Sequence, residues 1–408
     1  MSPPPTVAYI FERYPVLSQT FFRRELAGVR DQGVRVEIHS LFPPDPADLG
    51  YQVEGVPVDT FRWWEAGALI VALPRELLRD HALLRDGWRL YRRYRPTNPE
   101  NFWSTVWAAI FAVCRANRFR EKKPDVIHGV WATAPATAAA ILGRLCGVPF
   151  SFGGHAYDIY RHGGDAFLEP KLRAASFVHT TTEAGANYLR NRANGAPVKI
   201  VLARRGLDQL PPKPVRDTAP RPIRLLSVGR LVPKKGHTHQ LAACALLKSW
   251  GVSFAARIVG DGPLHYDLQR RIDHDGLAKF VSLIGPLAPQ QVDEQYRWAD
   301  IFWHTGVVDA EGDRDGIPNV IPEAFAHCLP VISSRTAGPM EAVTHEATGL
   351  IVDPSNTEEL AAAVKRLAED PKLRQQLGET GRHWVEENFL ISRNAEFLAC
   401  AFREPRHQ

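Results

Sequence analysis

The sequence predicts an α/β protein of two doubly wound domains, each with a parallel sheet between layers of helices. Short apolar runs typical of buried strands alternate with helical stretches in both halves of the 408-residue chain. A proline-rich segment separates the halves, and no solenoid or propeller repeat is visible in the sequence. A chain of this length can form two sizeable hydrophobic cores.

The first domain is predicted to span residues 1–208. Its strand-like runs are residues 7–10, 34–39, 125–128, 148–152 and 177–180. The segment Met1 to Pro5 has neither a basic region nor a cleavage site, so we expect no signal peptide.

The second domain is predicted to span residues 224–385, after an extended linker at 209–223 that contains the prolines. Its strand-like runs are residues 224–228, 254–259, 281–284 and 301–304. The stretch from Arg382 to Phe402 favours helix, and we assign a C-terminal helix to residues 386–408.

Composition narrows the class of protein. The hydrophobic content of 45% and the charged content of 23% are ordinary for a soluble protein. No apolar run approaches the ~20 residues of a spanning helix. The five cysteines are scattered without metal-binding spacing, which favours a reducing cytoplasm. The net charge of +5 comes with no nucleic-acid-binding motif, so we expect no nucleic-acid partner.

The most informative motif runs from Asp315 to Glu323. Asn319 followed by apolar residues predicts a helix start, with Pro322 in the first turn. The free amides at such an end favour an anion such as phosphate. Asp315 on the loop and Glu323 on the helix are then suited to accept hydrogen bonds from sugar or ribose hydroxyls. The motif therefore points to a sugar nucleotide.

A second motif supports a phosphate site. A buried strand ends at Gly229 and Arg230, a loop carries Lys235, and a helix is predicted from His237. Arg230 and Lys235 are the right residue types to bind a diphosphate, one as a fork and one as a point charge. By itself, this pair is typical of a solvated surface turn. Together with the downstream carboxylates of Asp315 and Glu323, it favours a phosphate-binding role.

His155 is the candidate reactive histidine. It follows the strand-like run 148–152 and the pair Gly153-Gly154, at the sheet edge where ligands bind. The alternative is a loop histidine satisfied by Asp158. For His128 we predict a buried, hydrogen-bonded structural role, and for His162 to Gly164 a mobile loop without chemistry.

The loop after the first strand carries Ser18, Gln19 and Thr20. Ser18 or Thr20 could cap the following helix. Alternatively, this loop contacts the acceptor or the donor phosphates. Both interpretations stay open on sequence alone.

The segment 75–123 is rich in arginines and aromatic residues. Such a face can dock on an anionic membrane surface. The alternative is a helical insertion that packs its aromatic residues inward and leaves the arginines solvated.

The sequence resembles the retaining glycosyltransferases of family four, which have the GT-B fold. Matching blocks follow the family's order through nearly the whole C-terminal half: 229–236, 259–264, 283–285, 299–301, 315–323, 329–332, 338–341 and 349–352. Many members have Glu where this chain has Asp315. The Asp-Gly-Ile-Pro-Asn version, and the opening from Tyr14 to Phe21, resemble the colanic-acid-type exopolysaccharide subgroup.

The resemblance implies two Rossmann-like domains that face a cleft, with the terminal helix packing back on the first domain. It implies transfer of a sugar, with retention, from a UDP- or GDP-linked donor to a hydroxyl of a saccharide or lipid-linked glycan in polysaccharide biosynthesis. The donor would bind the C-terminal domain and the acceptor the N-terminal one. The enzyme would be cytoplasmic, with a possible peripheral location on the inner face of the plasma membrane.

The resemblance also implies roles for individual residues. His155 and Asp315 would be catalytic, with His155 stabilising positive charge at the anomeric carbon and Asp315 holding donor hydroxyls. Arg230 and Lys235 would bind the diphosphate, and Glu323 the ribose. The remaining nucleotide and sugar contacts would come from Gly229, Gly260, Gly316, Ile317, Pro318 and Asn319, and the acceptor loop from Ser18 and Thr20.

We expect no metal and no cofactor beyond the nucleotide sugar. The Asp313-Arg314-Asp315 triplet resembles a metal-binding Asp-x-Asp. Here Arg230 and Lys235 can supply the positive charge instead, which leaves Asp313 as a solvated loop acid. No hydrolase motif accompanies Asp315 and Glu323, against a glycosidase pair. The alternatives are a GT-B sugar-nucleotide epimerase and a non-catalytic nucleotide- or glycan-binding protein.

Overall fold

The computed structural model describes residues 3–16, 19–51, 53–96, 99–214, 221–336 and 338–405. The chain divides into two compact units. One contains residues 1–208 together with 391–408, and the other contains residues 209–390. The predicted linker at 209–223 falls partly on residues outside the described ranges.

The first unit contains a sheet of seven parallel strands among its described residues, in the order β3-β2-β1-β4-β5-β6-β7. Strand order therefore reverses direction between β1 and β4, which is where ligands bind in such sheets. The strands are β1 (Thr6–Arg13), β2 (Arg35–Phe42), β3 (Val58–Thr60), β4 (Val126–Gly129), β5 (Phe150–Gly153), β6 (Phe177–Thr180) and β7 (Ile200–Leu202).

Helices cover this first sheet. They are α1 (Thr20–Asp31), α2 (Leu69–Arg79), α3 (Leu83–Tyr94), α4 (Pro99–Lys122), α5 (Ala134–Cys146), α6 (Tyr157–Tyr160), α7 (Leu168–Ala174) and α8 (Glu183–Arg192). Short 3₁₀ helices occupy Pro46–Tyr51, Trp63–Ala68 and Arg161–Gly163.

The second unit repeats the architecture with six parallel strands among its described residues, in the order β10-β9-β8-β11-β12-β13. The strands are β8 (Ile223–Val228), β9 (Phe254–Val259), β10 (Val281–Gly285), β11 (Ile301–His304), β12 (Val331–Ser334) and β13 (Gly349–Val352). The helices are α9 (His237–Ser249), α10 (His265–His274), α11 (Pro289–Trp298), α12 (Val320–Ala326), α13 (Thr357–Glu369) and α14 (Pro371–Asn388), with 3₁₀ helices at Pro233–Lys235 and Pro339–Glu341. The reversal lies between β8 and β11.

The predicted fold class of two Rossmann-like domains is confirmed. Each strand-like run named from the sequence overlaps a strand of the structure. Strands β3, β7, β12 and β13 were not among those runs. The edge strands β3 and β7 are only three residues long and half-buried, which is too short for a periodic pattern.

The C-terminal stretch differs from the prediction. The helix-forming run is broken, because α14 ends at Asn388 and a separate helix, α15, spans Ile391–Arg403. The backbone amide of Ile391 donates to the carbonyl of Leu207 at 3.0 Å. Helix α15 belongs to the first unit and packs on α1, where a Cβ on Gly28 would lie 2.9 Å from the Cβ of Ala395.

Candidate active site

In the second unit, the loop after β8 is held against the end of β11. The chain runs from Gly229 through the 3₁₀ helix Pro233–Lys235 to Gly236. Gly236 adopts a left-handed φ of 66° and is the N-cap of α9. A Cβ on Gly236 would lie 2.0 Å from the carbonyl oxygen of Thr305. Only glycine allows this approach, which brings Lys235 beside β11.

The end of β9 closes on the same loop. Gly260 has φ 136°, and a Cβ there would lie 2.0 Å from the carbonyl oxygen of Gly229. The Gly229 amide donates to the carbonyl of Val259 at 2.9 Å. Gly229 and Gly260, both predicted to contact the nucleotide sugar, therefore pack against each other through their backbones.

Two lysines and two aspartates form an ion cluster at this point. Lys235 Nζ lies 2.6 Å from Asp315 Oδ2, and Lys234 Nζ lies 2.9 Å from Asp313 Oδ2. Lys234 Nζ is also 3.5 Å from Asp315 Oδ1. The four side chains are only 8 to 16% exposed. The expectation that Asp313 is a solvated loop acid is thus wrong, because the fold of its loop brings it onto Lys234.

His304 completes the cluster. The sequence placed it only at the end of a strand. It is the last residue of β11, is buried, and has Nε2 3.3 Å from Asp315 Oδ2. Burial lowers the pKa of His304 below its usual value; Asp315 opposes this effect and Lys235 adds to it. The imidazole is therefore neutral at neutral pH and is placed beside the carboxylate.

Asp315 is held ionised. Burial raises its pKa, but Lys235, His304 and Lys234 together outweigh that effect and hold the pKa well below the usual range. An ionised carboxylate is a hydrogen-bond acceptor only, so Asp315 is suited to receive hydroxyl groups.

The other predicted donor-site residues follow this loop. Gly316, Ile317 and Pro318 lead to α12, which begins after Asn319 as predicted. The Asn319 side chain does not cap the helix; its Oδ1 is buried without a hydrogen-bond partner among the described residues.

Arg230 and Glu323 lie outside the ion cluster. The Arg230 side chain is exposed. Glu323 Oε2 accepts a hydrogen bond from the Tyr296 hydroxyl at 3.0 Å. Glu323 thus contacts α11.

In the first unit, a cavity of about 410 Å³ opens where β1, β4 and β5 end, at the reversal point of that sheet. A smaller cavity of about 70 Å³ adjoins it through Glu12 and Tyr157. The larger is lined by Glu12, Arg13, Val16, Gln19, Phe42, Trp131 and Tyr157. The smaller cavity is also lined by Asn101 and Ser104 of α4, by Arg161 and His162 of the 3₁₀ helix Arg161–Gly163, and by Asp165.

His155 lies behind this cavity wall. Its ring is 5.5 Å from the ring of Trp131 and 4.9 Å from that of His179. The residue is 2% exposed, and its Nδ1 has no hydrogen-bond partner among the described residues. Burial, followed by the charges of His179 and Arg205, holds the pKa of His155 well below its usual value. The imidazole is therefore neutral.

Asp158 orders the loop that carries His155. Its buried carboxylate accepts hydrogen bonds from the backbone amides of His155 at 3.2 Å, Ala156 at 2.8 Å and Ala132 at 3.0 Å. It contacts the backbone of the loop rather than the imidazole. The structural role predicted for His128 is confirmed, because His128 is buried with Nδ1 2.8 Å from Ser151 Oγ.

The acceptor-loop residues are only partly visible. Ser18 lies outside the described residues, and so does the side chain of Thr20, the first residue of α1. Gln19 between them lines the larger cavity.

The basic aromatic segment 75–123 divides into two parts. In the second part, Trp107 and Phe111 pack into the core. Its cations are paired: Arg115 with Glu65, Arg118 with Asp59, Arg120 with Glu76, and Lys122 with Glu37. For residues 107–122 the aromatic residues pack inward, as the second interpretation expects, but the cations are ion-paired rather than merely solvated.

The described residues show neither a metal-ion cluster nor a membrane-spanning helix. They contain no group of three or more His, Cys, Asp or Glu arranged to hold a metal ion. None of the helices that the structure describes is both long and apolar enough to cross a membrane.

Comparison with known proteins identifies the family. Residues 213–384 match the glycosyl transferases group 1 model, and residues 18–206 match the glycosyl transferase 4-like domain. The chain is 34% identical over 404 residues to the putative colanic acid biosynthesis glycosyltransferase WcaL of Escherichia coli, covering 89% of this chain and 94% of that protein. It is 35% identical over 181 residues to the amylovoran biosynthesis glycosyltransferase AmsK of Erwinia amylovora, covering 43% and 44%.

A solved structure supports the same assignment at the level of fold. Anabaena HepE in complex with UDP superimposes with a TM-score of 0.69 at 16% identity, covering 98% of this chain and 99% of that one. The chain therefore belongs to the family-four glycosyltransferases with the GT-B fold, in the group of the colanic-acid-type exopolysaccharide enzymes.

Proposed function

We propose that this glycosyltransferase moves a sugar from a UDP- or GDP-linked donor to a hydroxyl of a saccharide or lipid-linked glycan, with retention of configuration. The observation that carries the proposal is the contact of Lys235 with Asp315 at 2.6 Å. A cation suited to a diphosphate lies there beside an ionised carboxylate suited to sugar hydroxyls. The names of the relatives, which refer to colanic acid and amylovoran biosynthesis, support a polysaccharide product.

Lys235 and Asp315 neutralise each other in the structure. A bound donor exchanges these partners: the diphosphate takes Lys235, and a sugar hydroxyl takes its place on Asp315. Arg230, exposed beside the loop, adds a second cation, and Glu323 binds the ribose. Gly229, Gly260 and residues 316–319 form the backbone walls of the nucleotide and sugar site.

The reaction breaks the bond between the anomeric carbon and the phosphate oxygen, and the electron pair stays on the diphosphate. The acceptor oxygen forms the new bond on the same face, and its proton passes to the leaving phosphate oxygen. Lys235 stabilises the charge that grows on that phosphate, an effect that lowers the barrier because it strengthens in the transition state.

The acceptor binds the larger cavity of the first unit, which has carboxylate, guanidinium, amide and aromatic groups for sugar recognition. We assign His155, neutral and held by the loop that Asp158 orders, to stabilise positive charge at the anomeric carbon. Since its ring is buried against Trp131, any ligand contact with the imidazole requires a shift of that loop.

The transfer needs no metal ion. Asp313 and Asp315, which form the Asp-x-Asp triplet, are each paired with a lysine, and two lysines supply the charge that a divalent cation would bring. Activity that a chelator abolishes and magnesium or manganese restores would overturn this part.

The enzyme works in the cytoplasm as a peripheral protein at the inner face of the plasma membrane, where lipid-linked acceptors are found. The support for the peripheral location is a set of exposed aromatic side chains in residues 63–103.

Substitution of Lys235 tests the proposed function. Lys235→Met keeps most of the length of the side chain and removes the charge, so turnover should fall about 10²- to 10³-fold, the usual cost of removing one group that stabilises a developing anion. Lys365→Met is the matched control, because Lys365 is 46% exposed and pairs only loosely with Glu369 at 3.8 Å. Turnover of Lys235→Met within threefold of the unsubstituted enzyme would contradict the role.

A further inference from the structure

Helix α2 exposes apolar side chains on its outer side. Ile70, Val71 and Leu78 are 81%, 71% and 76% exposed. The buried residues of the helix are Ala72 and Glu76, and Glu76 is 0% exposed. Leu69, Leu73 and Leu77 are half-buried on the inner side, so α2 is apolar on both sides. Its outer side is an exposed apolar surface that a partner would cover.

Ion pairs fix the helix in this orientation. Glu76 Oε1 lies 3.1 Å from Arg75 Nε and 3.4 Å from Arg79 Nη1, and its other oxygen contacts Arg120 of α4. Rotating α2 to bury Ile70, Val71 and Leu78 would expose Glu76 and separate these charges. The outward apolar face is therefore built into the fold.

Further exposed apolar side chains lie on α3. None of the twelve residues of α3, all of them described, is buried, and Leu84, Trp88 and Tyr91 share one side of it at i, i+4 and i+7 spacing. Tyr91 meets Phe102 of α4 with ring centroids 6.0 Å apart, which joins the two helices. We define the aromatic face as Trp63, Ile70, Leu78, Leu84, Trp88 and Trp103, which are all exposed.

Arginines flank the aromatic face. Arg85, Arg89 and Arg92 repeat at i, i+4 and i+7 on the neighbouring side of α3, and Arg93 and Arg95 are also exposed. The acid within α3, Asp86, contacts Arg85 at 3.2 Å and Arg89 at 3.6 Å. The helix therefore carries a clear excess of positive charge next to exposed tryptophan and leucine.

We infer that the aromatic face docks on an anionic phospholipid bilayer. Tryptophans favour the boundary between headgroups and acyl chains, and arginines beside them bind the lipid phosphates. A second copy of this chain fits less well, because a two-fold interface through this face would bring its arginines near one another.

Docking through this face brings the acceptor cavity near the bilayer. Asn101 and Ser104 of α4 line the smaller cavity, and Trp103 on the same turn is exposed. A glycan attached to a lipid could then reach the cavity from the membrane. This step rests on the proposed function; the docking itself does not.

Vesicle sedimentation of the full chain tests the inference. The protein should bind vesicles of phosphatidylcholine with phosphatidylglycerol, and bind pure phosphatidylcholine much more weakly. Arg89→Gln with Arg92→Gln should weaken binding about 25-fold, about fivefold for each charge. Ile70→Ser with Trp88→Ser should weaken it at least about tenfold. The controls Trp250→Ser and Arg335→Gln alter exposed residues of the second unit and should bind like the unsubstituted protein.

Three results would overturn the docking surface: equal binding to both vesicle types, unchanged binding by both double variants, or a dimer in solution that Ile70→Ser with Trp88→Ser dissociates. Transfer to a water-soluble acceptor should be unchanged in that double variant. If the unsubstituted protein binds vesicles but transfers no sugar, the proposed function fails and the docking surface stands.

Discussion

Replacing Lys234 by methionine tests whether the ion cluster holds the donor loop. Lys234 Nζ lies 2.9 Å from Asp313 Oδ2, with the two side chains 8% and 14% exposed. Its carbonyl also accepts the Val307 amide at 2.8 Å, so the loop after β11 is attached to this residue twice. Lys234→Met removes the charged attachment and keeps the backbone one.

The magnitude follows from burial. Breaking a buried ion pair by removing one partner costs about 3–5 kcal/mol. The slight exposure here, and the second cation Lys235 beside Asp315, place the expected loss at or just below the lower limit of that range, at about 2–3 kcal/mol. For a unit of this size that corresponds to a fall in Tm of roughly 4–12 °C.

A double-mutant cycle isolates the pair. Lys234→Met, Asp313→Asn and the double variant are compared by calorimetry, and the coupling free energy should be about 1.5–3 kcal/mol. The surface variant Lys365→Met serves as control and should change stability by less than about 0.5 kcal/mol. A loss in Lys234→Met no larger than in the control, with no coupling to Asp313, would refute the reasoning.

Two further predictions concern stability. Burial raises the pKa of Glu25 to about 7, against the opposing charge of Arg205. The folded protein therefore holds a proton that the unfolded chain loses, and the free energy of unfolding should fall by up to roughly 3 kcal/mol as the pH rises from about 4.5 to 7. Glu25→Gln should remove that fall in urea titrations at pH 5 and pH 8, and parallel pH profiles of the two proteins would show that Glu25 is not responsible. Gly260→Ala should lower stability by at least about 2 kcal/mol, because its Cβ would strike the Gly229 carbonyl at 2.0 Å. Gly285→Ala, at φ 80° with nothing within 4 Å, is the matched control and should cost only about 1 kcal/mol of backbone strain; equal losses in thermal unfolding would argue against the clash.

The sequence predicted those parts of the donor site that depend on local patterns. The strand before Gly229, the helix from His237 and the start of α12 after Asn319 each follow from residues close together in the chain. Strand, turn and helix signals of this kind act over a few residues, so they can be read without knowledge of the fold.

The contacts of the ion cluster could not be predicted in this way. Lys234 and Asp313 are distant in sequence and meet only because Gly236 lets its loop lie on the end of β11. His304 ends an apolar run, so it reads as part of a buried strand. The adjacent pairs Lys234-Lys235 and Asp313-x-Asp315 were the signal that could have suggested paired charges.

The direction of α2 was also hidden. An apolar stripe on a helix normally predicts the buried side. Here Glu76 is paired with Arg75, Arg79 and Arg120, and the third partner lies on another helix. Apolar residues lie on both sides of α2, and only that long-range pair shows which side faces outward.

The most direct test of the central claim is a donor screen with the purified protein. UDP-, GDP- and ADP-linked sugars are incubated with and without a saccharide acceptor, in chelator and without it, and nucleotide release and thermal stabilisation are measured. We predict that a UDP- or GDP-linked sugar stabilises the protein, and that nucleotide is released only when acceptor is present, equally in chelator. Conversion of the donor without acceptor would indicate an epimerase, and no binding by any donor would contradict the assignment of the Lys235–Asp315 site.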